Sequence, residues 1–477
     1  MEITREYDVV VIGAGAVGEN VADRAVQGGL SAAIVEKELV GGECSYWACM
    51  PSKALLRSAA ALRAAQAVDG AKQAVTGELD VSAVLRRRDG ITHEWNDDSQ
   101  VQWLQKAKID LVRGHARLDG EKRVVVTDDD GIDTILIARH AVAVCTGSAA
   151  LLPDIPGLRE VEPWTSRDAT AVQHPPASLT VLGGGVVGAE MATAYAGFGT
   201  EVTLVARSGL LGGTEPFAGE IVEEALRALG VDVRTNVDVV RARAADDGLA
   251  VLELSDGSEV AAERVLVATG RVPRTTDLGL ESVGLEPGSW LDVNDTMLVR
   301  GTDWLYAVGD VNHRALLTHQ GKYQARAAGD VMAARAQGAP VDDAPWGVHV
   351  ATADHAAVPQ VTFTDPEVAS IGLTAAAAEK AGLPVRVIDY DLSWVAGAST
   401  VSDDYVGRAR AIIDTEREVL VGATFVGPDV AELLHSATIA VVGEVPLSRL
   451  WHAVPSYPTV SEVWLRFLEE YGRPTAG

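Results

Sequence analysis

Cysteine is scarce in this sequence, with three among 477 residues, Cys44, Cys49 and Cys145. That is too few for a secreted disulfide scaffold in a chain of this length. Basic charge is scarce as well: 40 Lys and Arg stand against 67 Asp and Glu, for a net charge of -27 at neutral pH. A field of that sign repels phosphate backbones and anionic lipid surfaces, which disfavours nucleic-acid and membrane-surface roles. No apolar run reaches the roughly 18 uncharged residues of a membrane span. The start, Met1-Glu2-Ile3-Thr4-Arg5-Glu6, lacks the basic opening and small-residue cleavage site of a signal peptide. The chain is expected in the cytoplasm. Apolar residues are not lacking: 47% hydrophobic against 22% charged is an ordinary globular balance with material for a sizeable core. At about 150 residues per domain, the length predicts two or three domains.

The segment Asp8-Val9-Val10-Val11-Ile12 is a continuous apolar run ending in Gly13-Ala14-Gly15-Ala16-Val17-Gly18. A helix-like stretch from Glu19 to Gln27 and a second short strand, Ser31 to Glu36, follow, so the first 36 residues read as a βαβ unit with parallel strands. The pattern recurs 170 residues later (183 − 13) at Leu179 to Leu182, Gly183-Gly184-Gly185-Val186-Val187-Gly188, a helix through Phe198 and a strand Glu201 to Val205. Each unit is followed by a β-rich stretch and an apolar strand ending in Thr-Gly, at Thr146-Gly147 and Thr269-Gly270. We read an α/β protein with two Rossmann-like dinucleotide-binding domains, the second inserted in the first. Residues 50 to 110 have helical spacing and read as helices inserted in the first module. The stretch from about Gly338 to Pro359 reads as a linker. Beyond it, strands at Gln360 to Phe363, Val385 to Tyr390, Ala409 to Asp414 and Val421 to Val426, with helices at Ala431 to Gly443 and Ser461 to Tyr471, read as an α+β domain. The expected division is 1–150 with 277–345, then 151–276, then 350–477.

In each Gly-rich turn the first glycine permits the tight turn and the second lets the backbone approach a pyrophosphate. The third allows close packing of a helix whose N-terminus favours anions. The residue closing the second strand separates the modules. Glu36, 23 residues after Gly13, suits the adenosine ribose of FAD, because a carboxylate accepts hydrogen bonds from ribose hydroxyls. The same offset from Gly183 lands on Ala206, followed by Arg207 and Ser208. A cation and a hydroxyl in place of the carboxylate favour NADPH over NADH, which stays possible; the alternative is an Arg solvated at a strand end.

Cys44 and Cys49 are separated by Ser45-Tyr46-Trp47-Ala48. Five residues along a regular helix rise about 7.5 Å, beyond the roughly 7 Å limit for bridged Cα atoms. A bridge therefore requires a distorted first turn at Cys44. Two buried thiols behaving as small hydrophobes are the alternative, but a dithiol beside a nucleotide unit in a cytosolic chain reads as redox-active. Cys145, in an apolar strand, reads as structural.

Together these motifs resemble the class I pyridine nucleotide-disulfide oxidoreductases, the family of glutathione reductase, dihydrolipoamide dehydrogenase and mercuric reductase. The resemblance runs nearly end to end: Gly13 to Gly18, Gly41-Gly42-Glu43-Cys44 to Cys49-Met50-Pro51-Ser52-Lys53, Gly183 to Glu190, Ala268 to Pro273, Tyr306 to Asp310, Phe363 to Glu367 and Pro458 to Glu462. It implies FAD held by Gly13, Gly15, Gly18, Glu36, Gly42, Lys53, Thr146, Gly147, Asp310 and His319. It implies NADPH held by Gly183, Gly185, Gly188, Arg207, Ser208 and Gly270. Cys49 would be the charge-transfer thiolate and Cys44 the interchange thiol, with Lys53 paired to Glu190. Asp310 would hold the ribityl chain, an ordinary helix-capping Asp being its alternative. Leu317-Thr318-His319-Gln320 would begin a helix facing the flavin's pyrimidine edge, with His319 itself a packing residue. The chain would be a homodimer in which Tyr457 and Glu462 complete the partner's site, with no resident metal.

The pattern breaks at Tyr457, where the family's disulfide-reducing members carry His. A phenol of pKa about 10 is a poor base at neutral pH, where an imidazole near 6.5 titrates usefully. Mercuric reductases resemble this chain in having Tyr there, yet no cysteine follows Cys145, so the C-terminal thiol pair of those enzymes is missing. His452 reads as a loop or packing residue, and Thr459-Val460-Ser461-Glu462 as a capping box. Tyr46 and Trp47, bulkier than in many relatives, are expected to pack against the flavin domain. The expected activity is transfer of electrons from NADPH through FAD and the Cys44–Cys49 pair to a small disulfide or other electrophilic acceptor. The alternatives are an NAD(P)H-dependent quinone or metal-ion reductase, and a non-enzymatic flavoprotein subunit or redox sensor.

Overall fold

The computed structural model describes residues 3–473; the outer ends of the expected domains, 1–2 and 474–477, lie outside the described residues. The first strand, β1 (Ile3–Ile12), runs into helix α1 (Ala16–Gln27) and then β2 (Ala32–Glu36). Val9 to Ile12 are almost wholly buried because β1 lies between two parallel neighbours, Val9 opposite Ala32 on one side and Ala141 on the other. An unbroken apolar run is what a strand covered on both faces requires. The strand Asp133–Val144 takes Leu305–Ala307 in parallel along its C-terminal half and Arg123–Thr127 antiparallel along its N-terminal half. Leu305–Ala307 returns to this seven-stranded sheet after the second module, as an inserted domain demands.

The second module is a four-stranded parallel sheet in the order Asp232–Thr235, Glu201–Ala206, Ser178–Leu182, Arg264–Val267. Three antiparallel strands, Val239–Ala244, Ala250–Leu254 and Glu259–Ala262, form their own ribbon. The C-terminal sheet has five antiparallel strands in the order Gln360–Thr362, Glu367–Gly372, Val419–Gly427, Arg408–Asp414, Val385–Asp391. Glu367–Gly372 is absent from the sequence reading. Its Glu, Ala, Ser and Gly carry little strand propensity, and it is held by neighbours on both edges.

The described residues divide into two compact units: one from the chain start to Pro51 with Arg88–Leu151 and Arg271–His355, and one of Ser52–Arg87, Leu152–Gly270 and the chain from Ala356 on. The helical insertion after residue 50 is present, but the expectation that it serves the first module needs correction for its first half. Leu55, Leu56, Val84 and Leu85 share a core with Leu179, Met191 and Tyr195 of the second module. A side chain at Gly197 would come within 2.8 Å of the Ala59 Cβ, so the helices cross closely there. Apolar faces follow the nearest uncovered apolar surface, whichever module precedes them in the chain.

The expected linker ends in an ordered turn. Buried Asp354 accepts hydrogen bonds from Gln320 (2.9 Å) and Gln324 (2.8 Å) of the helix Thr318–Ala336. No helix among the described residues is long and apolar enough to cross a membrane.

Candidate active site

Both glycine loops are built as the sequence requires, and their steric demands differ along the loop. Gly13 turns the chain at φ +100°, and a Cβ there would lie 2.6 Å from the Cys145 carbonyl oxygen. A Cβ on Gly18 would lie 1.9 Å from the Gly13 carbonyl oxygen. The middle glycine is under no such pressure: the one atom near a Cβ on Gly15 is the Gly42 Cα at 3.9 Å. In the second loop Gly183 (φ +120°) and Gly188 are again jammed, at 2.3 Å from the Ala268 oxygen and 1.9 Å from the Gly183 oxygen, while Gly185 faces open space. A glycine kept where the protein has room leaves that room for a ligand's backbone approach.

At the end of β2 the Glu36 carboxylate accepts the amides of Ala14 and Glu38, each at 2.8 Å, so it sits at the mouth of the first loop. Thr146 lies against Gly13, and its Oγ1 is buried without a hydrogen-bond partner. An open cradle at a helix N-terminus, a carboxylate at its mouth and an orphaned buried hydroxyl beside it fit an adenine dinucleotide such as FAD. Gly147 adopts φ +71°, and its carbonyl accepts the Arg274 amide. Asp310 is not a helix cap: Gly309 occupies that place. The Asp310 carboxylate instead accepts the Ser148 hydroxyl at 2.5 Å, with the Arg271 Nε at 3.7 Å.

The two cysteines lie on different helices, α2 (Gly42–Tyr46) and α3 (Cys49–Gln66). The break at Trp47 (φ −135°, ψ −1°) does what a distorted turn would have done, and Cys44 and Cys49 are hydrogen-bonded to each other as thiols. Gly42 (φ +59°) rests against Gly15, where a Cβ would fall 2.8 Å from the Gly15 Cα. The N-terminus of α2 therefore abuts that of α1. Cys49 Sγ also lies 3.2 Å from Thr318 Oγ1, at the start of the helix Thr318–Ala336.

The hydrogen bond to Cys49, and then burial, hold the Cys44 thiol well above the ordinary thiol range, while Thr318 and Lys322 pull the other way. His319 corrects the sequence reading: it is exposed on the first turn of its helix, because the face turned inward there carries Gln320 and Gly321. Tyr46 is buried as expected and meets Trp47 edge to face at 5.7 Å. Cys145 is buried too, and burial pushes its thiol up, which suits a structural residue.

In the second unit, Lys53 pairs with Glu190 at 2.7 Å and stands over the Phe363 ring at 4.8 Å. The other Glu190 oxygen accepts the Phe363 amide at 3.0 Å. Ala206 closes its strand buried, whereas the Arg207 side chain is 82% exposed, with a loose 3.9 Å ion pair to Asp238. Ser208 is exposed, and its hydroxyl donates to the Gly209 carbonyl at 3.3 Å. Gly270 is exposed at φ +147°.

Tyr457 is 76% exposed. The capping box at 459–462, the alternative to a site role for Glu462, does not form. The Thr459 hydroxyl donates to the Ser456 carbonyl (2.6 Å), and the Glu462 carboxylate, buried, takes Arg466 one turn along, so the helix opens with the 3-10 turn Val460–Glu462. Sequence reasoning missed Thr318 and Lys322 at the dithiol and the buried Glu19 on the loop helix; the signal for Glu19 was a carboxylate on the buried face of that helix.

The family described as pyridine nucleotide-disulphide oxidoreductase matches residues 7–338, and its dimerisation domain matches residues 358–466. The chain is 30% identical to a mercuric reductase of Staphylococcus aureus over 96% of its length and 81% of that protein's. It is 32% identical to a dihydrolipoyl dehydrogenase of Haloferax volcanii over 98% and 97% of the two chains. In fold it is similar to the HOCl-induced flavoprotein disulfide reductase RclA from Escherichia coli, in its Cu(II) complex, with a TM-score of 0.83 at 22% identity over 98% of this chain and 99% of that one.

Proposed function

We propose, for a chain that belongs to the pyridine nucleotide-disulphide oxidoreductases, that it takes electrons from NADPH and delivers them through the Cys44–Cys49 pair to a small disulfide or other electrophilic acceptor. FAD supplies, when bound, the two-electron relay between a pyridine nucleotide and a thiol pair. Gly13, Gly15, Gly18, Glu36, Gly42, Thr146, Gly147 and Asp310 would hold it, with Lys53, steadied by Glu190, as the cation beside its ring. The domain division 1–150 with 277–345, 151–276 and 350–477, and a cytoplasmic homodimer in which Tyr457 and Glu462 serve the partner's site, are part of the same reading.

The observation that carries it is the hydrogen-bonded Cys44–Cys49 pair set against Thr318. Overall, NADPH and the oxidised pair give NADP+, one thiolate and one thiol: the hydride brings two electrons, and its proton ends on one sulfur of the pair, Cys44 in the assignment that the resemblance implies, with Cys49 as the thiolate. Once Cys44 loses that proton it can attack a disulfide, releasing one thiolate and forming a mixed disulfide that Cys49 resolves. The test is an anaerobic titration of the FAD-loaded protein with NADPH. A long-wavelength thiolate-to-flavin band after two electrons is the expected result; bleaching of the flavin without that band overturns the dithiol role.

A second reading, reduction of quinones or metal ions, is favoured by Tyr457, since such acceptors need no base at that position. Nucleotide choice is tested separately. Ala206→Glu combined with Arg207→Ala is expected to move the NADPH-to-NADH ratio of kcat/KM by on the order of tenfold toward NADH, because a carboxylate suits a free ribose and repels a 2′-phosphate. An unchanged ratio sinks the assignment of Arg207 and Ser208.

A further inference from the structure

Cys44 must lose its proton before it can attack, because the thiolate is the nucleophile. No imidazole stands at position 457 to take that proton. One buried acid in the same unit has no part in the reading above. Glu19 follows the third glycine of the first loop, is 8% exposed, and its Oε1 is buried without a hydrogen-bond partner.

The turn that carries Glu19 is wedged between the other two helix starts of the dithiol site. On one side Gly15 touches Gly42, at the head of α2, two residues before Cys44. On the other, Val17 is so close to the first turn of Thr318–Ala336 that a Cβ on Gly321 would fall 2.5 Å from its Cγ2. Lys322 follows Gly321, and its charge bears on both Glu19 and Cys44. Other ionisable groups that bear on the site are Glu36 from β2, which opposes ionisation of Glu19, Tyr46 from α2, itself acted on by Glu19, Asp97 and Arg113, and Cys49.

We propose that Glu19 is a positioning residue that sets, through Lys322, how readily Cys44 gives up its proton. The inference rests on the dithiol reading and deepens it. Burial raises the Glu19 carboxyl to about 7, so its charge changes within the working range of a cytosolic enzyme. While Glu19 is neutral, the Lys322 cation acts on Cys44 undiluted and favours the thiolate. Once Glu19 ionises it offsets Lys322, and Cys44 holds its proton more firmly. The reactivity of Cys44 then climbs less steeply through neutral pH than that of an isolated thiol.

The test uses the FAD-loaded protein, reduced anaerobically with NADPH and treated with iodoacetamide between about pH 6 and 9, with Cys44 modification read by peptide mass spectrometry. Glu19→Gln keeps the size and the neutral form. It is expected to steepen the profile and to raise the rate near pH 8 by several-fold to about tenfold, the scale of one charge acting on another through protein. Lys322→Gln, an independent variant of a partly exposed side chain, should shift the profile to higher pH. It should also erase the Glu19→Gln effect near neutral pH, because without the cation Glu19 stays neutral there. A wild-type profile retained in Glu19→Gln, or a Glu19→Gln effect undiminished in the Lys322→Gln background, overturns the inference while leaving the dithiol reading intact. If NADPH fails to expose Cys44 to alkylation in the wild type, the dithiol reading itself falls and takes the inference with it.

Discussion

Cys49→Ser protein is expected to consume NADPH in the presence of a quinone and to reduce no disulfide at all, with a loss of at least about a thousandfold in disulfide turnover. The size follows from what is removed. Cys49 is the sulfur read as the charge-transfer thiolate, and a serine hydroxyl neither forms a disulfide nor ionises near neutral pH. The long-wavelength band should vanish with it. Cys44→Ser should lose disulfide reduction to the same extent and yet keep that band, because Cys49 and its contact with Thr318 are untouched. The contrast assigns the two sulfurs. Equal loss of the band in both variants would mean that neither sulfur has the separate role given to it. If both variants reduce quinones or metal ions at the wild-type rate with the physiological nucleotide, and the wild type reduces no disulfide, the second reading replaces the first.

The two glycine loops, the strands that feed them and the carboxylate at the end of β2 were legible because each obeys a local rule. A strand buried on both faces is apolar throughout, a tight turn at φ near +100° with a carbonyl 2.6 Å from any Cβ, as at Gly13, takes glycine, and a helix start meant for a pyrophosphate favours a bare backbone. Packing after residue 50 was not legible, since Leu55 and Leu85 are equally apolar whether they cover the first module or the second, and only the three-dimensional arrangement selects the core they enter. Glu367–Gly372 was hidden for a related reason: a strand held on both edges draws its conformation from its partners rather than its own propensity.

At the site, side-chain identity was readable and side-chain environment was not. Glu190 was placed with Lys53 by resemblance, and the pair forms at 2.7 Å. His319 was read as a packing residue, but helix phase turns it outward. Thr459 and Glu462 have capping-box spacing, yet Ser456 and Arg466 compete more successfully for their polar atoms. Glu19 shows the opposite case. Its carboxylate falls on the inward phase of α1, where the sequence rule for a loop helix expects a small or apolar residue. A violation of that kind in an otherwise consistent element marks function more often than error.

The glycines themselves provide the sharpest separation of folding from binding. Gly188→Ala puts a Cβ 1.9 Å from the Gly183 carbonyl oxygen, a backbone atom that cannot swing aside, so the loop and helix must part at a cost of about 1–3 kcal/mol or more. Thermal unfolding should fall accordingly, with or without nucleotide. Gly185→Ala meets nothing within 4 Å at φ −78°, ψ −171°, a conformation open to any residue, and should leave stability within about 0.5 kcal/mol of the parent. Its added methyl occupies the space through which the pyrophosphate must approach the helix N-terminus. The expected result is a KM for NADPH raised by on the order of tenfold with the melting temperature unmoved. A Gly185→Ala protein that binds NADPH as the parent does would show that the nucleotide does not lie on this loop, and the assignment of Gly183, Gly185 and Gly188 would fall with it.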